Sequence, residues 1–270
     1  MRTWLLILTA LCLSACSTVE TLDVAPIPGN QRYASIVVDV KTGRVLEQTS
    51  ADRLRYPASL TKMMTVYMIF DGLSSGRFST STEIPVSANA ASKQASKLWL
   101  KAGSTITIDK AIRALVVKSA NDVATAVAEY LGGTEERFAQ LMTTKARSLG
   151  MSSTVFQNAS GLPDADMRTT ARDMAKLSLA LQKNHAQYYG YFGLTSFEHN
   201  GKRITGHNNV LKSYRGATGL KTGYTRASGS NLATSAKRNG RSVVAIVLGG
   251  NGARERDDQM KRLLDAVFDQ

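Results

Sequence analysis

Residues 216–248, GATGLKTGYTRASGSNLATSAKRNGRSVVAIVL, decide the fold. The stretch reads as three strands, over 216–224, 230–237 and 242–248, separated by glycine-rich and polar breaks. Asn239-Gly240 turns the last pair, because both residues tolerate the positive φ angles that a tight hairpin demands. A helix is expected over 254–268. At the other end of the chain, 33–40 and 44–49 are strand-like and joined by a turn at Lys41-Thr42-Gly43. Between these ends the pattern is helical. The segment 60–70 is apolar nearly all round and reads as a buried helix opened by Ser59 after Pro57. Further helices are expected over 109–118, 122–131, 135–149 and 170–182, with Gly132-Gly133 and Gly150 ending the second and third of these. A short strand at 105–108 and a hairpin at 196–204, turned by Asn200-Gly201, complete the pattern. Strands at both ends with helices between predict an α+β fold, in which the terminal strands share one antiparallel sheet.

A length of 270 residues suits one generous domain, or one domain with a tail. With 43% hydrophobic and 20% charged residues, the main body can bury a core and is not of disordered composition. The first residues differ. One arginine, Arg2, precedes the apolar run 4–13, which is too short for a membrane-spanning helix and ends in Leu13-Ser14-Ala15-Cys16. That pattern reads as an export signal over 1–15. Its ending resembles a bacterial lipobox, which implies cleavage before Cys16, lipidation of Cys16 and, from Ser17, sorting to the outer membrane. An ordinary cleaved signal is the alternative. Residues 16–31, with Pro26, Pro28 and Gly29, read as a tether, leaving 32–270 as the catalytic domain.

Cys12 and Cys16 are the two cysteines, so the mature domain has no disulfide framework and no thiol metal site. His185, His199 and His207 are not spaced as a zinc pair, and nothing suggests a metal or organic cofactor. The formal charge of +13 favours anionic surfaces such as wall polymers or membranes, or simply solubility. No nucleic-acid module is recognisable, so nucleic acid is not an expected partner.

The chemistry starts at Ser59-Leu60-Thr61-Lys62. Residues three apart on a helix share a face, so hydroxyl and amine can meet. Serine needs a neighbour to take its proton, and a lysine can do so once burial or a second cation lowers its pKa. Ser119-Ala120-Asn121, between two helices, offers a hydroxyl for proton relay and an amide for orienting a peptide. Lys221-Thr222-Gly223, near a strand end, adds a cation, a hydroxyl for a carboxylate, and room for a substrate. Three look-alikes are set aside. Lys41-Thr42-Gly43 belongs to a turn. Ser87-Ala88-Asn89 lies in a run of small polar residues, and the Gly-x-Ser-x-Gly match at Gly72-Leu73-Ser74-Ser75-Gly76 follows a helix rather than a strand.

In this order, Ser-x-x-Lys, Ser-x-Asn and Lys-Thr-Gly resemble the motifs of penicillin-binding proteins and serine β-lactamases. The surroundings, Tyr56 to Thr65, Ser119 to Asp122 and Gly219 to Thr225, are similar to the D-alanyl-D-alanine carboxypeptidase family over nearly the whole mature chain. The resemblance implies a β-lactamase/transpeptidase-like fold and an enzyme acting on peptidoglycan stem peptides ending in D-Ala-D-Ala, with β-lactam antibiotics as inhibitors. It implies Ser59 as nucleophile, Lys62 as base and Ser119, assisted by Lys221, as proton relay. Asn121 then holds the peptide, Thr222 and Arg254 receive the terminal carboxylate, and Gly223 gives room. The backbone amides of Ser59 and Tyr224 form the oxyanion hole. Two positions depart from the pattern: Thr218 stands where aspartate is common and Tyr224 where histidine is, which bears on substrate preference. Many relatives carry a second, all-β domain and a C-terminal amphipathic helix; here the expectation is neither, with attachment through the N-terminal lipid. A DD-endopeptidase uses the same acyl-enzyme and remains open. A β-lactamase needs a deacylating glutamate in a Glu-x-x-Leu-Asn context, which Glu129, Glu135, Glu136 and Glu198 lack. A non-catalytic wall-binding protein finds no support in three intact motifs.

Overall fold

The structure is a computed structural model that describes residues 32–94 and 96–269. The expected signal, Cys16 and the tether lie outside the described residues. In chain order the elements are β1 (Ala34–Asp39), β2 (Val45–Thr49), α1 (Lys62–Ser74), β3 (Glu83–Pro85), α2 (Ala88–Ser92), β4 (Thr105–Thr107), α3 (Ile108–Arg113), α4 (Asn121–Gly132), α5 (Glu135–Ser148), α6 (Ala171–Asn184), β5 (Ser196–His199), β6 (Lys202–Thr205), α7 (Asn209–Ser213), β7 (Ala217–Thr225), β8 (Gly229–Arg238), β9 (Arg241–Gly250) and α8 (Ala253–Phe268).

The run 243–248 has no polar face because β9 is the middle strand of a five-stranded sheet, β2-β1-β9-β8-β7, covered on both sides. Successive side chains of a strand point to opposite faces. Val243, Ala245 and Val247 pack with Met260 and Leu264 of α8, while Val244, Ile246 and Leu248 pack into the larger core with α1 and α6. Every pairing in this sheet is antiparallel, and Val37 of β1 lies opposite Ala245 of β9. The two chain ends are thereby joined in one sheet, as the strand pattern predicts, with the helical cluster between them in sequence.

Threonines cap two helices of that cluster. The Thr134 and Thr170 hydroxyls accept the backbone N–H of Arg137 (3.1 Å) and Asp173 (3.0 Å) at the starts of α5 and α6. Two expected helices differ at points that matter for chemistry. Ser59 does not open an α-helix; it lies in a 3-10 turn, Ala58–Thr61, and α1 begins at Lys62. The expected helix 109–118 is α3 followed by a π-helical turn, Ala114–Lys118, which stops at Ser119 with φ +62°. The short elements β3, α2 and α7 went unread in the sequence, since three to five residues carry no period to read.

Candidate active site

Three chain segments converge on Ser59. The 3-10 turn holds it directly, with Ala58 at φ +48° just before it. Gly161 packs against that turn from the 150–169 loop: a Cβ there would lie 1.8 Å from the Ala58 carbonyl oxygen, so no larger residue fits. Gly223, on β7, approaches from the other side, where a Cβ would sit 3.0 Å from the Ser59 nitrogen and 3.2 Å from that of Leu60. The sheet edge and the nucleophile turn are thus in backbone contact, and the glycine of Lys-Thr-Gly permits it.

Lys62 is fully buried. Its Nζ lies 3.1 Å from Ser59 Oγ, 2.7 Å from Asn121 Oδ1 and 2.5 Å from the Ser160 carbonyl oxygen. Burial, reinforced by the nearby charge of Lys221, holds the Lys62 amine well below its ordinary pKa. A neutral amine has two N–H donors and one lone pair. The amide oxygen of Asn121 and the carbonyl of Ser160 can only accept, so they take both donors. The third contact is Ser59 Oγ, to which an ammonium donates; once the amine is neutral its lone pair can take the Ser59 proton instead. That is the arrangement a general base requires.

Lys221 is 2% exposed on β7 and donates to the Thr222 carbonyl at 2.8 Å. Burial, and then the Arg256 guanidinium, bring its pKa down to about 7. Ser119 is held in the left-handed conformation between the π-helical turn and α4, and its hydroxyl is buried without a hydrogen-bond partner among the described residues. Such strain in a non-glycine residue clusters at functional sites. Asn121 has both ends of its amide engaged, Oδ1 on Lys62 and Nδ2 on the Gln94 carbonyl at 2.9 Å.

These groups border a cleft of about 540 Å³ lined by Ser59, Ser119, Asn121, Thr222, Gly223 and Tyr224, among others. The Tyr224 side chain is 66% exposed. Arg254 is a correction. Its side chain is 97% exposed and its nearest acidic partner, Asp258, is 4.0 Å away. The arginine that lines the cleft is Arg256, 4% exposed and braced by Asp257 at 2.9 and 2.6 Å. Residues two apart on a helix are about 200° apart around its axis, so the two arginines face opposite ways. The sequence contained the signal: Arg256 precedes Met260, Leu263, Leu264 and Val267 at helical spacing, on the face that packs on the sheet. The sequence reading also missed the Ser160 carbonyl, which Asn158 positions by accepting the Ser160 and Gly161 N–H groups at 3.2 and 2.7 Å. His207, too, lines the cleft, and burial, then Lys118, Lys221 and Lys212, lower its imidazole pKa. The look-alike motifs lie elsewhere: Thr42 bonds Asp39 in the β1–β2 turn, and Ser87 caps α2.

The fold is that of the transpeptidase/β-lactamase class, and its candidate site sets a lysine rather than a histidine beside a serine. Comparison with known proteins narrows this. The family model described as D-alanyl-D-alanine carboxypeptidase matches residues 26–252, and the chain belongs to that family of serine peptidases. It is 32% identical over 245 residues to the D-alanyl-D-alanine carboxypeptidase DacF of Bacillus subtilis, covering 89% of this chain and 63% of that protein's length. The crystal structure of the D-alanyl-D-alanine carboxypeptidase DacD from Francisella tularensis superposes with a TM-score of 0.83 at 29% identity, covering 90% of this chain and 71% of that one. Penicillin-binding protein D2 of Listeria monocytogenes, in its ampicillin-bound form, gives 0.76 at 28% identity over 87% of this chain and 96% of that one.

Proposed function

We propose that the protein is a serine D-alanyl-D-alanine carboxypeptidase that trims peptidoglycan stem peptides through a penicillin-sensitive acyl-enzyme. The observation that carries this is the buried Lys62 amine, held well below its ordinary pKa and 3.1 Å from Ser59 Oγ. Lys62 takes the Ser59 proton as Oγ bonds to the carbonyl carbon between the two D-alanines. The backbone amides of Ser59 and Tyr224 receive the oxyanion. Ser119, polarised by Lys221, gives its proton to the leaving nitrogen and takes the one held by Lys62, so the C–N bond breaks, D-alanine departs and the Lys62 amine is neutral again. Water then attacks the ester, giving a proton to the regenerated Lys62 amine, which passes it to Ser59 Oγ as the bond to the acyl carbon breaks. Thr222 and Arg256 hold the terminal carboxylate, an anion that suits the Arg256 guanidinium lining the cleft. No aspartate or glutamate is among the described residues lining the cleft, which speaks against a glutamate-driven β-lactamase. Export and a lipid on Cys16 belong to the same reading, supported by residues 1–17; among the described residues no helix is long and apolar enough to cross a membrane.

The test is mass spectrometry of muropeptides incubated with the protein, pentapeptide monomers and cross-linked dimers together, beside penicillin labelling of parent and Ser59→Ala. Loss of one alanine from monomers, with labelling abolished by Ser59→Ala, is expected. Conversion of dimers to monomers without trimming would make it an endopeptidase, and labelling that survives Ser59→Ala would move the nucleophile.

A further inference from the structure

Trp99 is the most exposed large apolar side chain among the described residues, at 73%. It is also firmly mounted. Its backbone has φ +64°, a costly region for a bulky residue, and the chain on both sides is tied down. The N–H groups of Leu98 and Leu100 donate to the buried carboxylate of Asp122, at 2.9 and 3.0 Å from Leu98 and 3.1 Å from Leu100. Asp122 follows Asn121, so the perch of the indole is fixed to the first turn of α4, which also carries the amide facing Lys62. Lys97 supports the ring itself, with Nζ 4.6 Å from the ring centroid and fixed in turn by the carbonyls of Ala91 and Lys93 at 2.9 and 3.0 Å.

The same segment forms part of the cleft wall. Ser96 lines the cleft, and its carbonyl accepts the Asn121 N–H at 2.7 Å. Three residues of chain separate Ser96 from Trp99, a reach of at most about 10 Å. A strained backbone, an apolar ring in water and a cation against the ring together make a rigid platform within about 10 Å of the cleft wall at Ser96. Backbone strain that the surroundings hold in place points toward function.

We propose that Trp99 is a specificity-determining residue that contacts the saccharide carrying the stem peptide, its exposed indole stacking on the C–H face of an N-acetylated amino-sugar ring. This rests on the carboxypeptidase reading. The alanines at the end of the peptide offer the indole only methyl groups, and the residues before them flexible methylene runs, whereas a pyranose presents a flat, rigid apolar face of matching size. The Lys97 ammonium covers one face of the indole, which leaves the other face for the sugar. Ser59 and the groups around it do not depend on this contact, so a substrate without sugar is processed without it.

The test compares two substrates on the full chain: an N-acetylated pentapeptide ending in D-Ala-D-Ala, and the same pentapeptide attached to the disaccharide of N-acetylated amino sugars. Trp99→Ala should raise KM for the disaccharide substrate about tenfold with kcat unchanged, and leave the sugar-free peptide and the rate of penicillin acylation as in the parent. Trp99→Phe should recover most of the loss. Equal changes on both substrates, or none on either, would overturn the saccharide contact while leaving the enzyme reading intact. A parent protein that neither trims the sugar-free peptide nor is acylated by penicillin would instead remove the carboxypeptidase reading and this inference with it.

Discussion

Lys221 is 2% exposed, and burial together with the Arg256 charge draws its pKa from 10.5 to about 7. Replacing it by methionine, which has a similar reach and no charge, acts on stability and catalysis in opposite directions. Between pH 7 and 10.5 the unfolded chain holds a proton that the folded chain has released. Stability associated with this amine is therefore complete only above the unfolded value, and declines as pH falls toward about 7. At about 1.4 kcal/mol per pH unit, that displacement sets a ceiling of about 5 kcal/mol on what the buried amine costs the fold at neutral pH. Methionine removes this penalty and forfeits one hydrogen bond, to the Thr222 carbonyl, worth about 1 kcal/mol. Lys221→Met should thus gain about 2–4 kcal/mol at pH 7, and the gain should vanish near pH 10.5, as expected when a buried charge gives way to an apolar side chain. Urea unfolding at pH 7 and pH 10 measures it. Penicillin acylation, followed in the same samples, should fall at least about a hundredfold. Its residual rate should also rise with pH at a higher value than in the parent, because the Lys221 charge is the second cause holding down Lys62. A variant less stable than the parent at pH 7, or a stability difference equal at both pH values, would refute the argument.

Ser119→Ala removes a buried hydroxyl that has no partner among the described residues, so unfolding free energy should stay within about 0.5 kcal/mol while acylation and peptide turnover drop about a hundredfold. A loss of stability well above that would mean the hydroxyl is already bonded in the folded state. Gly223→Ala puts a methyl 3.0 Å from the Ser59 nitrogen, and two backbones must part by a few tenths of an ångström. Acylation should slow by about 10- to 100-fold through the displaced oxyanion donors, and an unchanged rate in stopped-flow labelling counts against that hole. Arg256→Gln should raise KM about 10- to 100-fold for peptides with a free terminal carboxylate and much less for their amides, whereas Arg254→Gln, at a 97% exposed side chain, should match the parent on both. Equal behaviour of the two variants would return the carboxylate contact to open question.

The parts of the molecule legible in the sequence were those that rest on local spacing. Ser59 and Lys62 are three residues apart, so their meeting needs one turn of chain and nothing else. The strand pattern of 216–248 and the two Asn-Gly turns likewise carry their own geometry, and the five-stranded sheet follows once the first hairpin joins it. What makes Lys62 a base was not local. Its acceptors come from Asn121 and from a carbonyl 98 residues further on, in a loop with no period to read. Its depressed pKa comes from burial, which is a property of the assembled core. A motif therefore names the reacting atoms, while the reactivity is conferred by residues outside the motif, among them Gly161, Asn158 and Arg256. The Arg254 assignment failed for a related reason. Helical phase separates the two arginines: in α8 the apolar series 260, 263, 264 and 267 assigns the inward face to Arg256. Phase is the cheapest tertiary information a sequence contains. Applied to a candidate site residue on a helix, it should come before proximity, because a side chain on the wrong face cannot reach the cleft however near its Cα lies.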